Sequence, residues 1–195
     1  MDNQSTTRTV DILGIPFFNT TETDFQEILH NKINDHTNTF VVTANPEIVM
    51  YAKANPRYAE LIQSADYIIP DGIGIIMGAK MLKTPLQERV TGYDLFVHLL
   101  EWGNAHQKSA FFIGAQPAVI RKLKKAVQEN YPFLTIAGTH DAILVMIAIS
   151  FETLSEPSQI WSLSQPVTLN KKNLLTKIAQ LLMHFGLGSA VHLMY

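Results

Sequence analysis

The chain of 195 residues contains no cysteine, so it can form neither disulfides nor thiolate metal sites, and this composition favours a reducing compartment. No run reaches the roughly 18 apolar residues of a membrane span, and the polar N-terminal segment lacks the apolar core of a signal peptide. An excess of positive charge is also missing, because the net charge is −2, which argues against a nucleic-acid partner bound through phosphate neutralisation. We therefore expect a soluble, cytoplasmic protein.

Several familiar site motifs are absent as well. The seven histidines show neither HxxxH nor HExxH spacing, which argues against a metal site. No GxGxxG follows the first predicted strand, no GxxxxGK(S/T) phosphate loop occurs, and no GxSxG nucleophile motif is present. Any chemistry must therefore come from a site without these signatures.

What the sequence does contain is an alternation of short β-branched runs and longer amphipathic stretches. Strands are predicted at residues 10–15, 40–45, 67–69, 110–114 and 134–138, the first of them closed by Pro16. Helices are predicted through residues 25–33, 46–55, 56–64, 73–81, 92–106 and 116–131. Strands that alternate with helices of this length indicate βαβ units. The predicted fold is α/β and Rossmann-like, with a largely parallel sheet and helices on both faces.

The sequence predicts how the helix at residues 46–55 begins and how deeply the helix at residues 73–81 is buried. Asn45 is a candidate N-cap, and Pro46 after it suits the first helical position. The helix after Gly72 is expected to be mostly buried, because apolar residues occur all along it. These residues are Ile73, Ile76, Met77, Ala79 and Met81.

The regular pattern ends after residue 141. From there to residue 195 the sequence has one glycine pair, an uncapped apolar stretch and a segment rich in Ser, Pro and Gln. We accordingly predict a flexible N-terminus at residues 1–9, an α/β domain at residues 10–141 and an aberrant tail at residues 142–195. The C-terminal part of the fold is expected to be incomplete or aberrant.

Polar residues gather at the carboxyl ends of four predicted strands, where ligands bind in open parallel sheets. These clusters are Thr43-Ala44-Asn45, Pro70-Asp71-Gly72, Gly114-Ala115-Gln116 and Gly138-Thr139-His140-Asp141. If the strands are neighbours, the clusters converge on one crevice. No single cluster is diagnostic, because residues of these types are also ordinary at strand ends and helix starts.

Asp71 and Arg89 each have two interpretations. A carboxylate in front of a helix is an ordinary N-cap, but at a strand end Asp71 could also do chemistry. A guanidinium beside a helix N-terminus suits a diphosphate, but Arg89 could equally lie on a solvated surface. Thr91 or Gly92 is predicted to cap the helix that follows, and Asp94 near its start suits the helix dipole.

Six segments stand in order along residues 10–141, namely VDILGIPF, VVTANPEIV, ADYIIPDGIGI, ERVTGYDL, FFIGAQP and GTHD. Taken together, these segments resemble the WecG/TagA/CpsF family of glycosyltransferases. The combination of VTANPEI, PDGIG and R-V-x-G-x-D in this order is specific, whereas each alone is weak.

The resemblance implies a reaction and a set of roles. Members of the family transfer an N-acetylmannosamine-type sugar from a UDP donor to an undecaprenyl-diphosphate-linked acceptor, in wall teichoic acid or other surface-polysaccharide synthesis. By resemblance, Asp71 is the general base that deprotonates the acceptor hydroxyl. Thr43 and Asn45 would line the sugar pocket, and Arg89 would face the diphosphate.

The same resemblance extends to the nucleotide, the metal and the partners. Nucleotide-binding residues are expected at Gly114, His140 and Asp141. The family does not depend on a metal bound through a DxD motif, so we expect no metal and no cofactor. The partners would be a UDP-sugar and a polyprenyl-diphosphate-linked acceptor, and a homo-oligomer is left open. Intact members are peripheral proteins at the inner face of the plasma membrane.

The tail departs from the family pattern, whose members continue with segments such as HDGYF and PKQE. When the tail is back-translated and each codon is read from its third base, residues 141–144 become Asp-Gly-Tyr-Phe once a single G is restored. In that frame residues 158–173 can be read as PDLVFVATGYPKQEKF, and residues 184–195 can be read to contain GGSFDV. Synonymous codons were chosen to favour the match. We hypothesise a one-base deletion that leaves residues 142–195 out of frame, and the alternative is a genuine divergent tail.

If the tail is out of frame, the chain keeps the proposed base and pocket residues but lacks the family's later Tyr, Gln and basic tail. We then expect weak or absent transferase activity, and poor solubility because the substituted sequence exposes apolar surface. The alternatives are a nucleotide-sugar-binding module or inactive fragment without catalysis, and a purely structural protein.

Overall fold

The computed structural model describes residues 9–37, 39–113, 116–140, 146–152 and 191–194. The helices are α1 (Glu22–Asn34), α2 (Pro46–Ala54), α3 (Pro56–Gln63), α4 (Ile73–Met81), α5 (Gly92–Ala105) and α6 (Pro117–Asn130). The strands are β1 (Thr9–Ile12), β2 (Ile15–Phe18), β3 (Val41–Ala44), β4 (Tyr67–Pro70), β5 (Ser109–Ile113), β6 (Thr135–His140), β7 (Met146–Glu152) and β8 (Val191–Met194). The chain forms two compact units, one of Met1–Trp102 with Val191–Tyr195 and the other of Gly103–Ala190.

The first unit opens with a β-hairpin where the sequence predicted one strand closed by Pro16. β1 pairs antiparallel with β2, and Pro16 lies inside β2 opposite Asp11. Leu13 and Gly14 make the turn, because their φ angles of 54° and 86° give the left-handed backbone of a tight hairpin. The prediction that the strand ends at Pro16 was wrong: the chain reverses before the proline, which then belongs to the returning strand.

Helix α1 begins with a side-chain cap. Thr21 is the N-cap, and its hydroxyl accepts the N–H of Asp24 at 3.2 Å. The helix buries Phe25, Leu29 and Ile33, which are spaced four residues apart on one face. This face anchors α1 in the core of the first unit.

An aromatic cluster joins the hairpin, α1 and β4. The ring of Tyr67 meets Phe18 edge-on with the centroids 5.0 Å apart, and it meets Phe25 in the same way at 5.4 Å. Such pairs contribute about 0.5–1.5 kcal/mol beyond the burial of their area. The cluster therefore holds β4, which leads into the candidate site, against its neighbours.

A parallel strand pair positions the candidate site. β3 and β4 lie side by side, with Thr43 opposite Ile69 and Ala44 opposite Pro70. Helices α2 and α3 connect them, and each begins with a proline, whose missing N–H costs no intrahelical bond at that position. The predicted order of strand, two helices and strand is thus confirmed.

Helix α4 departs from the prediction that it is mostly buried. Its buried positions are Ile75, Ile76 and Ala79. Ile73, Met77 and Met81 are exposed instead, so the prediction was wrong for these three residues. The apolar sequence could not show which face of the helix lacks a covering element.

The second unit contains a parallel and an antiparallel strand pair. β5 lies between β6, which is parallel to it, and β7, which is antiparallel. Gly138 of β6 lies against the Phe111 ring, and an added Cβ would overlap ring atom Cε2 unless the ring moved. Helix α6 buries Ile120 and Val127 on one face.

The predicted α/β fold class is confirmed, because strands alternate with helices along the chain and the pairs β3–β4 and β5–β6 are parallel. The antiparallel partner β7 was not predicted. The boundary expected at residue 141 lies outside the described residues, as does the predicted N-terminal segment apart from Thr9, which starts β1. Among the helices that the structure describes, none combines the length and the apolar character that crossing a membrane requires.

Candidate active site

The candidate site is built at the carboxyl ends of β3 and β4. The parallel ladder continues past β4, because the N–H of Asp71 donates to the carbonyl oxygen of Ala44 at 3.0 Å. Thr43 and Asn45 flank Ala44 in sequence and therefore lie next to the point where Asp71 leaves the sheet. Two of the four predicted polar clusters are thus brought together at one sheet edge.

Local structure holds Thr43 and Asn45 in place. Thr43 is buried within β3. Asn45 is the N-cap of α2, since its Oδ1 accepts the N–H of Ile48 at 2.9 Å. Because the cap uses the carboxamide oxygen, Nδ2 is the group that Asn45 can present to a ligand.

Asp71 is a cap, but not of the helix that follows it. Helix α4 begins after Gly72, whose φ of 106° suits glycine, and no side chain among the described residues caps it. Oδ2 of the half-buried Asp71 instead accepts the N–H of Gly92, the first residue of α5, at 3.1 Å. Within the part of the chain that the structure describes, this is the only hydrogen bond to the Asp71 carboxylate. Oδ1 can therefore accept a proton from a ligand.

One further hydrogen bond ties the start of α5 to the end of β4, and a side-chain cap closes the helix end. The N–H of Val90 donates to the carbonyl oxygen of Pro70 at 3.1 Å. The hydroxyl of Thr91 accepts the N–H of Asp94 at 3.0 Å and donates to the Asp94 carboxylate, so Thr91 caps α5 as one of the two predicted candidates. The positive end of the α5 dipole consequently lies beside the Asp71 carboxylate.

Arg89 directly precedes Val90, whose N–H is bonded to Pro70 at the end of β4. Arg89 is exposed, so it is a surface residue next to the strand end. Its charge acts on Glu22 at the start of α1. Burial, followed by the carboxylates of Asp94 and Glu88, raises the pKa of Glu22 above its ordinary value. The charges of His98 and Arg89 act in the opposite direction. Arg89 is therefore an exposed cation whose charge acts on Glu22, at the start of α1.

Of the three residues assigned to nucleotide binding, the structure describes only His140. His140 is the last residue of β6 in the second unit, and its backbone pairs with Ile113 of β5. Gly114 and Asp141 lie outside the described residues. His140 is thus at a carboxyl strand end, as predicted, and the roles of all three residues stay predictions.

Sequence reasoning did not assign Val90 and Gly92 to the site, because both act through backbone N–H groups. The contact between Gly92 and Asp71 joins residues 21 positions apart, so no local sequence pattern predicts it. The same reasoning did not find a metal site, and no group of three or more His, Cys, Asp and Glu side chains that could hold a metal ion occurs among the residues described.

Comparison with known proteins assigns the chain to a family. A sequence profile for the Glycosyl transferase WecG/TagA/CpsF family matches residues 10–159. The chain belongs to this family. The match covers every candidate site residue and extends past residue 141, and it confirms the resemblance that the six ordered segments indicate.

Two curated relatives of this WecG/TagA/CpsF family protein carry the name N-acetylglucosaminyldiphosphoundecaprenol N-acetyl-beta-D-mannosaminyltransferase. The protein of Bacillus spizizenii (strain ATCC 23059 / NRRL B-14472 / W23) is 44% identical over 109 residues, which is 56% of this chain and 42% of that protein. The protein of Staphylococcus aureus (strain NCTC 8325 / PS 47) is 38% identical over 145 residues, which is 73% of this chain and 57% of that protein. The chain spans about half the length of the curated relatives it matches.

The arrangement in this glycosyltransferase family member has a definite chemical capacity. A carboxylate such as that of Asp71 can take the proton of a hydroxyl group. A guanidinium such as that of Arg89, next to the first residues of a helix, can bind a diphosphate. The short segment 89–92 thus connects a guanidinium to the Asp71 carboxylate, and the roles of both groups stay predictions.

Proposed function

We propose that this protein is a glycosyltransferase that moves N-acetylmannosamine, or a related sugar, from a UDP donor to an N-acetylglucosamine linked to undecaprenyl diphosphate. Family membership supports glycosyl transfer, and the names of the Bacillus and Staphylococcus relatives support this sugar and this acceptor. The product would enter teichoic acid or another surface polysaccharide. The observation that carries the proposal is the Asp71 carboxylate, held at a sheet edge with Oδ2 bound by Gly92.

The proposed step is a displacement at the anomeric carbon of the donor sugar. Asp71 Oδ1 accepts the proton of the acceptor hydroxyl while the hydroxyl oxygen forms a bond to the anomeric carbon. The bond between that carbon and the UDP oxygen breaks, and its electron pair leaves with UDP. The bond from the Gly92 N–H keeps the carboxylate oriented, so that the base need not be reordered in the transition state.

The other candidate residues receive binding roles in this proposal. Thr43 and the Nδ2 amide of Asn45 would contact the sugar, and Arg89 would stabilise the charge on the departing diphosphate. Gly114, His140 and Asp141 would contact the nucleotide. The reaction would need no metal, so turnover in the presence of EDTA should equal turnover without it.

The acceptor also implies where in the cell the protein acts. A polyprenyl chain stays in a bilayer, so the protein would act as a peripheral protein at the inner face of the plasma membrane. The reaction itself would involve only the diphosphate and sugar of the acceptor, which project from the lipid. This location is part of the proposal and depends on the acceptor.

A second candidate function is favoured by the changed sequence pattern after residue 141. If residues 142–195 are out of frame, the chain binds a UDP-sugar with little or no turnover. Isothermal titration with UDP separates this outcome from an inactive fragment, because only a binding module releases heat that saturates.

A transfer assay tests the proposed activity directly. Radiolabelled UDP-N-acetylmannosamine is incubated with a lipid-linked N-acetylglucosamine diphosphate acceptor, and label entering the lipid fraction is measured. The chain as printed is compared with a protein made from the same gene after one base is restored behind codon 141. We expect turnover from the restored protein and much less from the printed chain. Absence of turnover from both proteins, with folded samples, would refute the proposed activity.

A further inference from the structure

Helix α4 exposes apolar side chains where a surface helix ordinarily exposes polar ones. Ile73, Met77 and Met81 follow one another at four-residue spacing and therefore lie on one face of the helix. Their side chains are 63%, 57% and 83% exposed, respectively. Leu82, the residue that ends the helix, is 51% exposed. These four residues are termed the α4 face.

The segment that carries the α4 face is also positively charged. Residues 72–87 contain Lys80 and Lys83 but no aspartate or glutamate, in a chain whose net charge is −2. Both lysines are exposed. Local positive charge beside exposed apolar side chains is complementary to an anionic lipid surface, which offers headgroup phosphates and an apolar layer beneath them.

The same observation argues against a second copy of the chain as the occupant. A symmetric dimer brings the same surface patch of both copies together. Lys80 and Lys83 of one copy would then approach the lysines of the other, with no acidic residue in segment 72–87 to offset the repulsion. An anionic bilayer turns these charges into an attraction.

The position of the α4 face links it to the candidate site. Helix α4 starts two residues after Asp71, so the base and the first residue of the face, Ile73, are adjacent along the chain. The acceptor in the proposed function is anchored by a hydrocarbon chain. Its hydroxyl can reach Asp71 only if this end of β4 approaches the bilayer.

We propose that the α4 face docks this protein on the surface of an anionic lipid bilayer. The apolar side chains enter the boundary between headgroups and acyl chains, and Lys80 and Lys83 contact the headgroup phosphates. The reason for docking rests on the proposed function. Binding to vesicles requires no sugar transfer, so either proposal can fail without the other.

Vesicle sedimentation with the full chain tests the docking surface. The binding of wild type to phosphatidylcholine vesicles containing phosphatidylglycerol is compared with that of Met77→Glu/Met81→Glu. Met50→Glu is the matched control, because Met50 is a methionine of α2 that is 56% exposed. Urea unfolding midpoints confirm that all three proteins are folded to the same extent.

We expect the double substitution to weaken vesicle binding about tenfold or more, since two apolar side chains are replaced by carboxylates at an anionic surface. Met50→Glu should bind within about twofold of wild type, and vesicles of phosphatidylcholine alone should bind more weakly. Three results would overturn the proposal: wild type that does not bind the vesicles, a double variant that binds them like wild type, or a Met50→Glu control that loses as much vesicle binding as the double variant. A dimer in sedimentation velocity that the double substitution dissociates would assign the face to a second copy and overturn it as well.

Discussion

At the scale of single residues, the N–H of Gly92 donates to Oδ2 of Asp71 at 3.1 Å, and this one backbone contact links the candidate base to the start of α5. Asp71 therefore stabilises a helix end and remains able to accept a proton at Oδ1. The two interpretations that the sequence left open for Asp71 are compatible. The cap, however, belongs to a helix that starts 21 residues later.

Replacing Gly92 with proline tests whether this contact orients the base. Proline fits the first position of a helix, so Gly92→Pro removes the N–H with little cost to α5 itself. We expect kcat in the transfer assay of the frame-restored protein to fall about tenfold or more, with the donor KM unchanged, because a charge-assisted hydrogen bond to the carboxylate is lost. Gly92→Ala retains the N–H and should keep kcat within about threefold. Equal kcat for the proline variant and wild type would contradict the positioning role.

Two substitutions of Asn45 separate its cap from its proposed contact with the sugar. Asn45→Asp retains an oxygen for the N–H of Ile48 but has no amide donor, so stability should be kept while donor KM rises. Asn45→Ala removes both functions and should lower the free energy of unfolding by about 1 kcal/mol. Urea unfolding and transfer kinetics measure the two effects. If Asn45→Asp has the wild-type KM, the side chain is a cap alone.

At the scale of elements, the parts predicted well are those fixed by neighbours in sequence. The cap Asn45 and the prolines that open α2 and α3 act within one helical turn, so their chemistry is visible in the sequence. The hairpin turn at Leu13 was missed because a non-glycine residue takes a left-handed backbone there. The exposure of α4 was missed because it depends on what packs around the helix rather than on its own residues.

Tyr58 makes the packing of α3 against α2 sensitive to alkaline pH. Its ring lies edge-on to Tyr51 with the centroids 4.9 Å apart. Burial, and secondarily Tyr51, raises the pKa of Tyr58 from 10.0 to about 12. The unfolded chain loses this proton at lower pH than the folded chain. The stabilisation is therefore fully present below pH 10.0 and is lost as the pH rises toward about 12.

The measurement is the urea midpoint as a function of pH for wild type and Tyr58→Phe. We expect the midpoint of wild type to fall relative to that of Tyr58→Phe across this alkaline window, since phenylalanine has no proton to lose. Tyr93→Phe, at an exposed position of α5, should follow wild type. Parallel curves for wild type and Tyr58→Phe would show that Tyr58 does not contribute to the loss of stability at alkaline pH.

At the scale of the whole molecule, the family could be predicted from ordered segments, and the α/β fold from the alternation of strands and helices. The site was only partly predictable, because its central contact is made by a backbone N–H distant in sequence. The segment after residue 141 is a separate question, and the family match runs to residue 159. Sequencing the gene across codons 135 to 195 decides it: the frameshift hypothesis expects the family segments in the next frame, and unrelated codons there would contradict it.

Asp66 provides a matched control for the claim that Asp71 is the base. Both are aspartates at the ends of β4, and each accepts a backbone N–H at Oδ2, from Phe40 at 2.7 Å and from Gly92 at 3.1 Å. Asp66→Asn and Asp71→Asn therefore make the same chemical change to the same kind of hydrogen bond. Only Asp71 lies at the carboxyl end of the strand, where a ligand would bind.

The most direct measurement is kcat for sugar transfer by the frame-restored protein carrying each of these substitutions. We predict that Asp71→Asn lowers kcat about 100-fold or more, because general-base catalysis is lost, while UDP binding by isothermal titration is unchanged. Asp66→Asn should stay within about threefold of wild type. An Asp71→Asn protein that turns over as fast as Asp66→Asn would contradict the central claim.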